Sequence, residues 1–335
     1  MATRMGKTTI YFSLKPSVIG YGSVVGKKEF EGPLSREFDT HDSDSRFGEK
    51  SFEKAESRMQ KIAVETALRK CSKSENDIDI VFAGDLLNQC VGSSFGLRGT
   101  NIPFAGIYGA CSTMTLGLIL AALAVDSGAA KLSAAVTSSH FCSAERQYRY
   151  PLEYGSVRPQ SSQWTVTGAG ATILSQSEGL PYIDKAAFGK IVDLGVKDAN
   201  NMGAAMAPSA ASTLLSFLND THTSPDDYDA IITGDLGKVG SDLLYILTEN
   251  RGIRIREKHF DCGLMIFNRN TQDVHSGGSG CGCSATVLNS YVFHMFEKGK
   301  YKNILFMSTG ALLSPTSTMQ GESIPGITHL VNIRI

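Results

Sequence analysis

One segment of this sequence occurs twice. Asp77-Ile78-Asp79-Ile80-Val81-Phe82-Ala83-Gly84-Asp85-Leu86 is echoed, 150 residues on, by Asp227-Tyr228-Asp229-Ala230-Ile231-Ile232-Thr233-Gly234-Asp235-Leu236. Each copy joins a turn to a β-rich apolar run, and each follows a helical stretch, residues 52–70 and 205–218. That order is a helix feeding a buried parallel strand. A second pair, Ala110-Cys111-Ser112 and Gly282-Cys283-Ser284, recurs in the same sequence of events 172 residues apart. Both members lead into helical runs (113–127 and 285–299), and each run is followed by a short strand (133–139 and 304–309). Two motifs repeated in one order point to internal duplication, and duplication restricts the fold to architectures with two like halves.

The copies divide the chain into an N-terminal half, residues 1–180, and a C-terminal half, residues 181–335, with the boundary at Leu180-Pro181. The helices after Cys111 and Cys283 are apolar nearly all round, which suits helices enclosed between two sheets. The expected fold is therefore α/β, five-layered α-β-α-β-α. Residues 29–50 are polar and turn-rich and read as a surface loop, and residues 150–162, with two prolines, as a long loop over one face.

Charge excludes several functions. With 32 Lys and Arg against 33 Asp and Glu, the net charge is −1, so nothing favours nucleic acid or an anionic membrane. Seven cysteines without framework spacing fit free thiols in a reducing compartment better than a disulfide scaffold. Residues 1–10 lack the apolar stretch of a signal peptide, and the longest apolar run, 116–125, is far below the ~20 residues that cross a bilayer. The expectation is a soluble protein that meets membranes, if at all, through partners.

The cysteine turn carries a resemblance. Gly109-Ala110-Cys111-Ser112-Thr113 resembles the nucleophile turn of thiolases and ketoacyl synthases, and Thr167-Gly168-Ala169-Gly170-Ala171 resembles their glycine-alanine strand start. Ser138-Ser139-His140, Ala144-Glu145-Arg146-Gln147-Tyr148-Arg149-Tyr150-Pro151 and Gly277-Gly278-Ser279-Gly280-Cys281 resemble the stage V sporulation protein AD family more closely. So do Ala83-Gly84-Asp85-Leu86-Leu87-Asn88-Gln89, Met206-Ala207-Pro208 and Thr309-Gly310-Ala311-Leu312-Leu313-Ser314-Pro315. The resemblance implies a thiolase-like fold, made in sporulating bacteria, that binds dipicolinic acid and takes part in its uptake into the forespore. It further implies a homodimer acting with the stage V membrane proteins of the uptake complex, held peripherally at the inner spore membrane. Calcium is a candidate companion of the ligand, and no cofactor is implied.

Cys111 follows a strand and opens a helix, where the helix dipole would lower a thiol pKa and raise its reactivity. Read without the resemblance, a buried cysteine is simply a small apolar residue. Condensing enzymes surround the cysteine with His and Asn, or His and Cys, on loops of the second half. Here the first such loop offers Asp235 and the second, from Gly277 through Gly278 to Cys283, has neither His nor Asn, His275 being the nearest candidate. An aspartate opposes both a thiolate and an oxyanion, so the catalytic set reads as dismantled.

What remains suits an anion. Helix starts at Cys111 and near Cys283 would present unpaired N–H groups to the two carboxylates of a flat dianion. Arg146 and Arg149 would add bidentate contacts, or else pair on a surface loop with Glu145 and Glu153. His140 ends a strand and either faces the pocket or is a satisfied core histidine. Two readings from other classes stand beside this one: an active condensing enzyme or acyltransferase using Cys111, and a purely structural subunit without a small-molecule site.

Three further patterns fail. Gly92-Ser93-Ser94-Phe95-Gly96 lacks the strand-turn-helix of a nucleophile elbow. The glycines at 278 and 280 are too few for a dinucleotide fingerprint. Cys281, Cys283 and His275 lack zinc spacing and a fourth ligand, so no metal site is expected.

Overall fold

The computed structural model describes residues 1–148, 158–176 and 181–335. Arg149 lies outside these segments, and the Leu180-Pro181 boundary falls at the edge of one.

Ten strands carry the fold. The first five are β1 (Ser17–Val25), β2 (Ile80–Gly84), β3 (Phe104–Gly106), β4 (Leu132–Ser139) and β5 (Gly168–Ser175). The second five are β6 (Tyr182–Ala187), β7 (Ala230–Thr233), β8 (His259–Asp261), β9 (Asn303–Ala311) and β10 (Gly326–Arg334). The spatial order is β1-β5-β4-β2-β3 in the first set and β6-β10-β9-β7-β8 in the second. Pairing directions repeat as well: β1–β5 and β5–β4 are antiparallel while β4–β2 and β2–β3 are parallel. The matching contacts of the second set are antiparallel, antiparallel, parallel and parallel. The chain is thus internally duplicated in topology as in sequence. The two sets meet edge to edge through a single register pair, Tyr182 with Ser17.

Helices make the remaining layers. Helix α1 (Phe52–Lys70) covers the outer face of the first sheet, with Ala55, Met59, Ala63 and Ala67 buried at helical spacing. Its N-cap Ser51 accepts from Lys54 N at 3.3 Å, and Arg69 and Lys70 stand in its last turn where cations complement the dipole. Helix α2 (Thr113–Asp126) lies between the sheets and touches β4 on one side and β9 and β10 on the other. Helix α3 (Phe141–Tyr148) is short and follows β4. Helix α4 (Met202–Thr221) covers β9 and β10 from outside, as α1 covers the first sheet. Helix α5 (Cys281–Val287) shares the central layer with α2. This is the five-layered α-β-α-β-α arrangement.

Close packing of the central layer explains the glycine-alanine strand start. A Cβ on Gly170 of β5 would come within 2.4 Å of the Ala285 carbonyl in α5, so the helix lies directly on the strand.

Two local expectations change. Residues 29–50 are not a solvated loop: Glu29, Leu34 and Phe47 are buried, and Thr40–His41 pairs with β1. Glu29 is drawn in because its carboxylate accepts from Thr167 N at 2.9 Å. The second central helix opens at Cys281, two residues before Cys283, so Cys283 sits inside it and packs in the core between the sheets.

Candidate functional site

β3 leads to a tight turn at Ala110–Ser112, from which α2 emerges. Ala110 holds φ +50°, a strained value for a residue with a Cβ. Hydrogen bonds fix it there: Ser112 Oγ donates to Gly109 O at 2.6 Å, Thr113 Oγ1 donates to Ala110 O at 2.6 Å, and Gly109 N donates back to Thr113 Oγ1 at 3.1 Å. From the second half, Gly310 presses on the same turn, and a Cβ there would meet Gly109 O at 2.5 Å. The two halves therefore lock together at the cysteine.

Cys111 is buried, with its Sγ 3.9 Å from Ser279 Oγ. The Asp235 carboxylate gathers three donors: Ser279 Oγ at 3.1 Å, Gly280 N at 2.9 Å and Thr309 Oγ1 at 2.6 Å. One carboxylate thus ties together the loop after β7, the start of α5 and the end of β9, and it reaches the cysteine turn through Ser279. Burial raises its pKa to about 7 against the pull of those hydrogen bonds. Burial, and then the charge of Asp235, pushes the Cys111 thiol well above its ordinary range. The environment holds the thiol protonated, the reverse of the activation expected at a helix start.

Above Cys111 opens a narrow cleft, partly open to solvent. Its walls are Leu86, Tyr108, Tyr148, Met202, Ala311 and Leu313, with Thr165, Ser279 and Glu145 as the polar contributions. Among the described residues its lining contains no His, Asn, Lys or Arg. Leu86, Cys111, Ala144 and Cys281 form one small apolar cluster beneath it.

The residues singled out from sequence divide accordingly. Cys111 and Asp235 come together. Gly278 lies one residue from the lining, in a short strand paired with Trp164, and its carbonyl accepts from Gln163 Nε2 at 2.8 Å. Cys283 is in the core, and Cys281 takes the position beside Cys111 because α5 starts early. Arg146 points away and pairs with Glu53 at 2.6 Å. His275 is turned outward, bonded to Pro159 O at 2.8 Å and to Asp273 at 2.8 Å. Arg149 lies outside the described residues.

His140 faces a different space. Its Nε2 donates to Ser45 O at 2.6 Å while Nδ1 accepts from Cys142 N at 3.1 Å, and burial lowers its pKa. It lines a second cleft with Lys28, Phe141 and Trp164, so α3 forms a wall of both clefts. The second helix start is also closed: Gly280 N is taken by Asp235, and Gly282 N by Ser139 Oγ at 3.0 Å.

Sequence reasoning missed Tyr108, Tyr148, Thr165, Ser279 and Thr309. Tyr148, Ser279 and Thr309 lie within segments already conspicuous as motifs, so a signal existed for three of the five. All seven cysteines are free. Among the described residues no group of three or more His, Cys, Asp or Glu is placed to hold a metal ion, and no helix is long and apolar enough to cross a membrane.

Among solved structures, 3-oxoacyl-[acyl-carrier-protein] synthase III from Aquifex aeolicus VF5 matches with a TM-score of 0.56 at 16% identity, covering 96% of this chain and 100% of that one. Acetamide-bound OleA from Xanthomonas campestris matches with a TM-score of 0.61 at 12% identity, covering 97% of this chain and 100% of that one. These likenesses show a shared thiolase-like fold. Stage V sporulation protein AD of Bacillus subtilis (strain 168) is 44% identical over 324 residues, 97% of this chain and 96% of that protein. The family profile described as stage V sporulation protein AD matches residues 6–334. The chain belongs to the stage V sporulation protein AD family.

Proposed function

We propose that this sporulation protein is a non-catalytic member of the thiolase-like fold, that it binds dipicolinate in the cleft beside Cys111, and that it serves the uptake of dipicolinate into the forespore. One observation carries the reading: the second-half loop that should supply a base to the cysteine instead brings up a buried carboxylate, Asp235, held by the same Ser279 hydroxyl that contacts Cys111 and raising the thiol pKa by its charge. A condensing enzyme needs a base beside the thiol and donors for an oxyanion. Asp235 supplies negative charge instead, and its own donors are spent on it.

The cleft suits a flat ring. Tyr108 and Tyr148 offer aromatic walls, and Thr165 supplies a hydroxyl group. The second helix start is closed to ligand, so the ligand's carboxylates are met by the first helix start and by side-chain hydroxyls. We assign membrane association to partner proteins of the uptake complex and the working form to a homodimer.

The test is titration calorimetry with dipicolinate, with and without calcium, against the protein and its Cys111→Trp variant. Binding by the parent and none by a folded Cys111→Trp is the expected result, because the indole would fill the cleft floor. Equal binding by both would move the site elsewhere. Intact-mass measurement after incubation with acyl-coenzyme A should show no acyl adduct on Cys111, and a stable adduct would restore the enzyme reading.

A further inference from the structure

Two phenols span the cleft, and their hydrogen bonds have a direction. Tyr148 Oη lies 2.5 Å from the Leu86 carbonyl oxygen and 3.1 Å from Tyr108 Oη. A carbonyl can only accept, so the single proton of Tyr148 is committed to Leu86. The phenol–phenol contact is therefore donated by Tyr108. The Tyr148 side is clamped: Gln147 Nε2 donates to the same carbonyl at 2.9 Å, and Asn88 N donates to Gln147 Oε1 at 2.9 Å. The Tyr108 side is free to move. Its residue is 46% exposed, and its hydroxyl makes one hydrogen bond among the described residues, the one to Tyr148. The Ser279 hydroxyl at the cleft floor is already assigned, since it donates to Asp235 at 3.1 Å.

We propose that Tyr108 reads the ligand's carboxylate, turning its proton from Tyr148 to the incoming anion as the ligand enters. This rests on the dipicolinate reading given above. The exchange replaces a neutral acceptor with an ionised one, and hydrogen bonds to charged groups are roughly twice as strong. The movement needed is a rotation of a half-exposed side chain at the mouth. Burial raises both phenols above their ordinary pKa, so each retains the proton the exchange requires.

Two conservative substitutions separate this role from a merely structural one. Tyr108→Phe keeps the ring and removes the movable donor, so dipicolinate should bind at least about tenfold more weakly. Tyr148→Phe removes the competing acceptor and leaves the Tyr108 proton unpartnered in the empty cleft. Binding should then be a few-fold tighter. A structural role predicts equal weakening, because each substitution breaks the same phenol–phenol bond. The measurement is calorimetric Kd for the parent and both variants, with melting temperatures recorded alongside. Parent-like binding by Tyr108→Phe, or equal losses in both variants, overturns the proposal while leaving the ligand assignment intact. No binding by the parent overturns the ligand assignment and this proposal together.

Discussion

Asp235 decides what Cys111 can be. Its carboxylate accepts from two hydroxyls and one backbone N–H, and it lies where its charge, when ionised, opposes thiolate chemistry. Asp235→Asn keeps the volume but turns one acceptor oxygen into a donor. Ser279 and Gly280 N–H share one oxygen and Thr309 takes the other, so the amide nitrogen faces Thr309, whose hydroxyl can rotate to accept one N–H and leaves the second unsatisfied. A loss of about 1–3 kcal/mol in stability is expected, the usual cost of an unsatisfied buried polar group. Removing the charge should at the same time lower the Cys111 pKa. Iodoacetamide labelling of Cys111, followed by mass spectrometry across pH, should run faster in Asp235→Asn at a given pH, and an unchanged labelling profile would show that burial alone protects the thiol. Cys111 and Asp235 were legible in the sequence because a strand-turn-helix start and an internal repeat marked them. Arg146 and His140 were not, since their direction depends on partners remote in sequence: Glu53 on α1 and the Ser45 carbonyl.

At the scale of elements, the last turn of α4 fastens the N-terminus. Asp220 accepts from Lys7 N at 3.0 Å, Thr8 N at 2.8 Å and Thr9 N at 3.1 Å, and from the hydroxyls of Thr8 and Thr9. Partial burial alone would raise its pKa, but these bonds outweigh it and hold the carboxyl down to about 2. The strand they position, Thr9–Tyr11, pairs with β6 at Lys185, Ala186 and Ala187. Asp220→Ala should release this segment, costing about 1–3 kcal/mol and exposing roughly the first ten residues to limited proteolysis while the core stays protected. A proteolysis pattern identical to the parent's would show that strand pairing suffices. The sequence marked the helices and core strands here but not this tether, because an aspartate late in a helix gives no local sign that a chain end 211 residues away will fold onto it. The early start of α5 was hidden for a related reason: a Gly-Cys-Gly-Cys run carries no N-cap side chain, and contact with Ser139 and Asp235 sets where the helix begins.

The five-layered molecule buries several acids almost completely. Glu29 and Asp235 are pushed up to about 7, Glu56 to about 8 and Asp261 to about 6, in each case chiefly by burial. None of the four forms an ion pair among the described residues. Each retains a proton in the folded state at a pH where the unfolded chain has released it, so the folded state binds more protons between about pH 5 and pH 8. The contribution is therefore complete at low pH and is lost as pH rises through the folded values. Two buried histidines act at the other end. His259 and His329 are pulled down to about 4 by burial, so below about pH 6.5 the unfolded chain takes protons the folded one refuses, and stability falls as the pH drops. The histidines thus offset part of the acids' gain below about pH 6.5, and above it the acids act alone. The urea midpoint should be lower at pH 8.5 than at pH 6, by an amount corresponding to a few kcal/mol. Glu56→Gln should flatten that slope, because the amide stays neutral throughout, its oxygen accepting from one of the Ser138 and Ser143 hydroxyls that bond the two carboxylate oxygens at 3.0 Å and 2.7 Å and its NH2 donating to the other. A midpoint that rises from pH 6 to pH 8.5 would mean that these acids are ionised in the fold and stabilised by groups other than those named.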